Sequence, residues 1–290
     1  MEYTIENETI QAVICDAGAE LISLKKDDVD YLWSGDPAYW KEHAPVLFPF
    51  AGRLCDEQYT VHGKPYRMPI HGFAKRQIFS LVEQKTDSLT LGISDTDETR
   101  EQYPFSFDFQ VTYTLYGSSL DIAYEVQNHS DEIMYFGLGG HPGFRVPLEP
   151  GLAFEDYYLE FADRCRPDRI GMSDRVLVTG DRREYPLEDG RRIRLHHDLF
   201  DQDAIVLANM SDMVTLRSDR GSRSVTLSYP GMPYLGIWHA VKTNAPYVAI
   251  EPWMNLPARD GIVEDFAARS DLGRLDVDGY YANVWSIGLQ

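Results

Sequence analysis

Apolar and polar positions alternate with a period of two along much of this chain. Residues 105, 107, 109, 111, 113 and 115 are all aromatic or aliphatic, and the alternation resumes after Gly117-Ser118-Ser119 at Leu120, Ile122, Tyr124 and Val126. In a strand, successive side chains point to opposite faces, so this stretch predicts an antiparallel hairpin with one buried face. Shorter alternations from Thr4 to Trp33 are broken at Glu6-Asn7-Glu8, Ala17-Gly18-Ala19 and Lys25-Lys26-Asp27-Asp28. They predict a β-meander. A helical turn is expected at Pro37 to Trp40, followed by PVLFPFAGRL, in which apolar residues and two prolines surround Arg53 and predict an irregular, partly buried crossing.

Turn signals at His62-Gly63-Lys64 and Ile70-His71-Gly72 separate the next short strands. Between Glu149 and Phe200 the pattern weakens, leaving YYLEF, RVLV and RRIRL as candidate strands. DAIVLANM, MVTLRS, SVTLSYP, YLGIWHAV, YVAIEPW and the terminal YYANVWSIGLQ each read as strands, while helix is expected only briefly near Asp95 to Gln102 and Gly261 to Ala268. No linker, low-complexity tract or fixed-period repeat interrupts the series. The expected fold is therefore all-β, a large antiparallel β-sandwich forming a single domain over residues 1–290.

Composition narrows the partners. A formal net charge of −19 excludes the counterion-displacing chemistry that nucleic acids and anionic membrane surfaces require. The chain starts without a basic region followed by an apolar run, and no segment has the uninterrupted apolar length of a bilayer span, so a cytoplasmic location is expected. Three widely spaced cysteines, Cys15, Cys55 and Cys165, fit reduced thiols better than a disulfide framework or a zinc site.

Two short stretches carry candidate chemistry. In FGLGGHPGF, His141 sits among glycines and directly before Pro142, a setting that restricts its backbone and lets other groups approach closely. It reads either as a histidine satisfied by backbone or as a ring held out from a fixed platform. In YVAIEPW, Val248 and Ile250 share one strand face, and Ala249 and Glu251 the other. A carboxylate in so apolar a run needs a charged partner or serves as a base in a cleft. Arg53 reads as a loop anchor or a clamp for oxygens, and His71 as a turn residue or a ligand contact. Asp201 and Asp203 lie two apart, with Asp203 preferred because it directly precedes the apolar run. Trp238, Trp253 and Phe73 read as core residues first and as rings to stack on a ligand face second.

Four ordered matches carry a resemblance to a known family: FAGRL with Arg53, PIHGFAK with His71, LGGHPGF with His141 and AIEPW with Glu251. Together with ENETIQAVICDAGAELISLK near the N-terminus, they make the chain similar to the aldose 1-epimerases, or galactose mutarotases, in their shorter LacX-like branch. The resemblance implies a β-sandwich of the galactose-mutarotase type with a sugar bound in an open cleft. It implies that Glu251 takes the proton from the anomeric hydroxyl while His141 gives one to the ring oxygen, with Arg53, His71 and Asp203 holding the sugar. No metal or organic cofactor is expected, and the partner is a small-molecule sugar bound to a monomer or homodimer. Three other readings stand beside this one: a non-catalytic carbohydrate-binding or sensing protein of the same fold, a hexose-6-phosphate mutarotase using arginines between Arg164 and Arg194, and hydrolysis of a glycosidic bond by Glu251 paired with Asp203. The glycines around His141 are expected to give a sugar ring close access to the backbone.

Overall fold

The computed structural model describes residues 1–290. The chain begins as a four-stranded antiparallel meander, Glu2–Glu6, Ile10–Cys15, Glu20–Lys26 and Val29–Asp30. The rest is dominated by two antiparallel sheets of nine and eight strands. In the nine-stranded sheet the long hairpin pairs Phe107–Tyr116 with Ser119–Asn128, from Phe107 opposite Asn128 to Tyr116 opposite Ser119. Its turn is the two residues Gly117-Ser118, tighter than the three expected, with Gly117 at φ 54. The terminal strand Tyr280–Leu289 lies between Ser119–Asn128 and Val225–Ser228, so the end of the chain is central to this sheet.

The two sheets close on each other because each presents one apolar face. Phe48 stacks on Phe109 with ring centroids 4.3 Å apart. A cluster of 68 buried residues takes in Ile5, Phe109, Tyr124, Ile250 and Leu289, from both sheets and the N-terminal meander. The protein is thus a large antiparallel β-sandwich. No helix is long and apolar enough to cross a membrane, and all three cysteines are free thiols.

Local departures from the sequence pattern have identifiable causes. RVLV is mostly a turn: Val176 donates its N–H to Ser173 and adopts φ 59, which ends pairing between Asp168–Met172 and Val178–Glu184. The expected helix at Gly261 to Ala268 shrinks to a single 3₁₀ turn, Phe266–Ala268. Its Asp265 side chain caps Ala267 and also accepts from Thr60 and Gly63, which ties the segment to the Gln58–Arg67 hairpin instead. PVLFPFAGRL is buried from Pro45 through Gly52, more deeply than expected, and Arg53 alone of its ten residues is exposed. The helical turn before it forms, with Trp40 N–H bonded to the Asp36 carbonyl.

Candidate active site

Glu251 lies on Tyr247–Trp253, a strand buried at every residue. Val248 and Ile250 join the main core, as the two-residue period requires, so Glu251 points out of the opposite face. It sits opposite Gly236, where a side chain would crowd both Trp253 and the Glu251 Cβ. Beside it, Gly139–Gly140 pairs with the Trp253 end of the strand and Gly143–Arg145 with the Tyr247 end. The intervening His141 is thereby aimed across the strand at Glu251. His141 Nε2 lies 3.0 Å from Glu251 Oε2, with 10% and 2% of the two side chains exposed.

The remaining candidates converge on the same place. His141, Glu251, Arg53, His71 and Asp203 all line one cavity of about 210 Å³. At about 30 Å³ per water this is room for roughly seven waters, on the scale of one pyranose ring. His71 is held by Gly52 twice: its N–H donates to the Gly52 carbonyl at 2.9 Å, and its Nδ1 accepts from the Gly52 N–H at 3.0 Å. With Nδ1 committed as acceptor, the neutral ring carries its proton on Nε2 and is a donor. Gly52 itself has φ 88 and lies against Pro257, a conformation and clearance that suit glycine. The Arg53 carbonyl accepts from Ala258, while its guanidinium makes no hydrogen bond within the protein and is exposed. The anchor reading of Arg53 therefore lacks a bond, and its donors stand open. Asp203 lines the cavity and Asp201 does not.

Burial sets the electrostatics. It raises the Glu251 carboxyl well above the usual carboxylate range, and the nearby negative charge of Asp203 pushes the same way. It lowers His141 to about 3. His71 is likewise held well below its ordinary value, first by burial and then by the neighbouring His141. The Glu251 and His141 shifts both favour a carboxylic acid against a neutral imidazole over the charged pair. Moving that proton across 3.0 Å gives carboxylate and imidazolium, so the pair holds a single transferable proton in either form. His141 Nδ1 has no hydrogen-bond partner, which leaves Nε2 as the nitrogen that exchanges the proton with Glu251.

Several site features were not legible in the sequence. Trp40 packs its ring 4.8 Å from His141 and 5.6 Å from Trp238, forming the cavity wall with Trp238 and Trp253. Its only local signal was an aromatic beside a predicted turn. Phe73, in contrast, is core. Asn255 is buried and clips the Glu251 strand to the Arg53 segment, accepting from Ala51 N–H at 3.1 Å and donating to the Ala51 carbonyl at 3.0 Å. The glycines around His141 do not serve as expected. A Cβ at Gly139 would meet Trp253 at 2.9 Å, at Gly140 Trp285 at 2.5 Å and at Gly143 Trp40 at 2.9 Å. None of them borders the cavity, so they make room for tryptophans and not for a ligand. Four of the nine arginines considered for phosphate are engaged elsewhere: Arg175 with Asp56 and Asp260, Arg192 with Glu160, Arg194 with Glu188, and Arg191 with backbone carbonyls.

The sandwich thus carries a His–Glu pair in a small polar and aromatic cavity, and sequence and structural relationships place the chain in a family. The aldose 1-epimerase family model matches residues 1–255. Protein LacX, chromosomal, of Lactococcus lactis subsp. lactis is 33% identical over 266 residues, covering 88% of each chain. Among solved structures, a galactose mutarotase related enzyme from Lactobacillus acidophilus is 36% identical with a TM-score of 0.95, covering 100% of this chain and 97% of the other. A galactose mutarotase-like protein from Lactobacillus casei is 33% identical, also with a TM-score of 0.95, and both chains are covered in full. This chain belongs to the aldose 1-epimerase family.

Proposed function

We propose that the protein is a mutarotase that interconverts the α and β anomers of a free aldohexose. The observation that carries this reading is the contact between His141 Nε2 and Glu251 Oε2, 3.0 Å, inside a cavity of single-sugar size. With a pyranose lying against the two side chains, Glu251 as carboxylate accepts the proton of the anomeric hydroxyl and His141 as imidazolium donates to the ring oxygen. The C1–O5 bond breaks, the aldehyde end rotates, and closure with the proton transfers reversed yields the other anomer. The pair begins and ends the cycle with the same number of protons. His71 Nε2–H and the open Arg53 guanidinium are donors for the sugar oxygens, and Asp203 is an acceptor for its hydroxyls.

The test follows the optical rotation of freshly dissolved α-D-glucose, α-D-galactose and α-D-glucose 6-phosphate with and without protein. Acceleration of either free sugar beyond the water rate supports the reading. Saturable sugar binding with no acceleration supports the alternative, a binding or sensing protein on the same fold. Acceleration confined to the 6-phosphate would transfer the activity to phosphorylated hexoses.

A further inference from the structure

One charged pair lining the cavity makes no hydrogen bond to His141 or Glu251. Lys75 Nζ lies 3.0 and 3.1 Å from the two carboxylate oxygens of Glu42. The side chains keep only 12% and 26% of their exposure. They arrive from separate parts of the chain: Lys75 from the Ala74–Arg76 turn just after His71, and Glu42 from the segment that carries Trp40. Both line the same cavity as His141 and Glu251.

An ammonium has three N–H donors and a carboxylate about four lone-pair sites, so their mutual contact leaves a donor and several acceptor sites free. A sugar hydroxyl is donor and acceptor at once. It can accept from Lys75 and donate to Glu42 in one bridge, which a methylene in its place cannot do. The net charge of the pair matters equally. A phosphate monoester carries about −1.5 to −2 at neutral pH. It would meet a lysine whose charge Glu42 already offsets, in a cavity where the Asp203 carboxylate likewise balances the Arg53 guanidinium and leaves no net positive charge to hold it.

Resting on the mutarotase reading and extending it, we propose that the Lys75–Glu42 pair is a specificity-determining element. It takes a hydroxyl of an uncharged aldose and turns away the same sugar bearing a phosphate. The experiment measures kcat and KM for mutarotation of glucose, galactose, their monodeoxy analogues and glucose 6-phosphate by wild type, Lys75→Met and Glu42→Gln. Thermal melts show that each variant is folded. Lys75→Met should lower kcat/KM for the parent sugar about tenfold, chiefly through KM, with less than about twofold loss for the one deoxy sugar that lacks the bridged hydroxyl. Glu42→Gln, which frees the lysine charge at nearly constant shape, should shift the ratio of 6-phosphate to free sugar about tenfold or more toward the phosphate. An equal Lys75→Met loss on every sugar, or an unchanged ratio in Glu42→Gln, overturns the inference while leaving mutarotase activity in place. Wild type that equilibrates no sugar at all overturns the mutarotase reading and this inference with it.

Discussion

Replacing Glu251 by glutamine is the most informative single perturbation of the site. Glutamine keeps the volume of the buried side chain, and its amide N–H can donate to His141 Nε2 across the same 3.0 Å. What it removes is the ability to accept and return a proton. A positioned acid or base contributes typically about 10²–10⁴-fold, equivalent to about 2.7–5.4 kcal/mol of barrier at 1.36 kcal/mol per tenfold. The acceleration of α-D-galactose or α-D-glucose equilibration over the water background should fall by that factor, read by polarimetry at saturating sugar. His141→Asn should fall by a similar factor. Because the two groups move one proton as a unit, the double variant should be less than about tenfold worse than the poorer single variant. The melting temperature of Glu251→Gln at neutral pH should equal or exceed that of wild type, since the amide resembles the protonated acid that burial favours. Full rates in both single variants would refute the assignment of this pair to the chemistry, even with the activity itself intact.

Other consequences follow from the same coordinates. Between the ordinary glutamate value of 4.5 and the histidine value of 6.5 the raised Glu251 makes the native state bind more protons and the lowered His141 makes it bind fewer, so their contributions to the pH slope of stability oppose each other. In Glu251→Gln the native His141 stays neutral down to about 3 while the unfolded histidine binds a proton below 6.5. The unfolded state then holds more protons, and stability should rise with pH across that window by up to about 1.4 kcal/mol per unit relative to wild type; parallel urea-melt curves for the two proteins would contradict this. Asp203→Asn, at a cavity residue, should raise KM for the sugar about tenfold, whereas Asp201→Asn should leave kcat and KM within about twofold; equal effects would remove the distinction between them. Gly140→Ala places a methyl 2.5 Å from the Trp285 ring and should lower the urea-denaturation free energy by about 1–3 kcal/mol, so an unchanged midpoint would mean the core yields there more easily than its packing indicates.

Strand class and much of strand placement were legible because a two-residue period is a local property. The Phe107–Asn128 hairpin, the meander at the start and the strands at Tyr247–Trp253 and Tyr280–Leu289 all lie where alternation put them. The pattern failed where a tertiary bond decided the local conformation. Asp265 spends its side chain on the Thr60 hairpin and a single turn, so no longer helix forms after Gly261. Asp168–Met172 went unseen as a strand, and its pairing depends on neighbours at Val178–Glu184 and Ile205–Ala208.

The site divides the same way. Sequence alone determined which residues were chemically conspicuous: a carboxylate in an apolar strand, a histidine before a proline, an arginine in a buried crossing. Each stood out because its type was costly or constrained in its own local context. Only the tertiary structure decided that His141 and Glu251, 110 positions apart, meet at 3.0 Å, and that Lys75 meets Glu42 in the wall of the same cavity. It also decided what the glycines were for. Whether a missing side chain opens a path for a ligand or a space for a tryptophan depends on the neighbour delivered by another strand, and no local pattern records which neighbour that is.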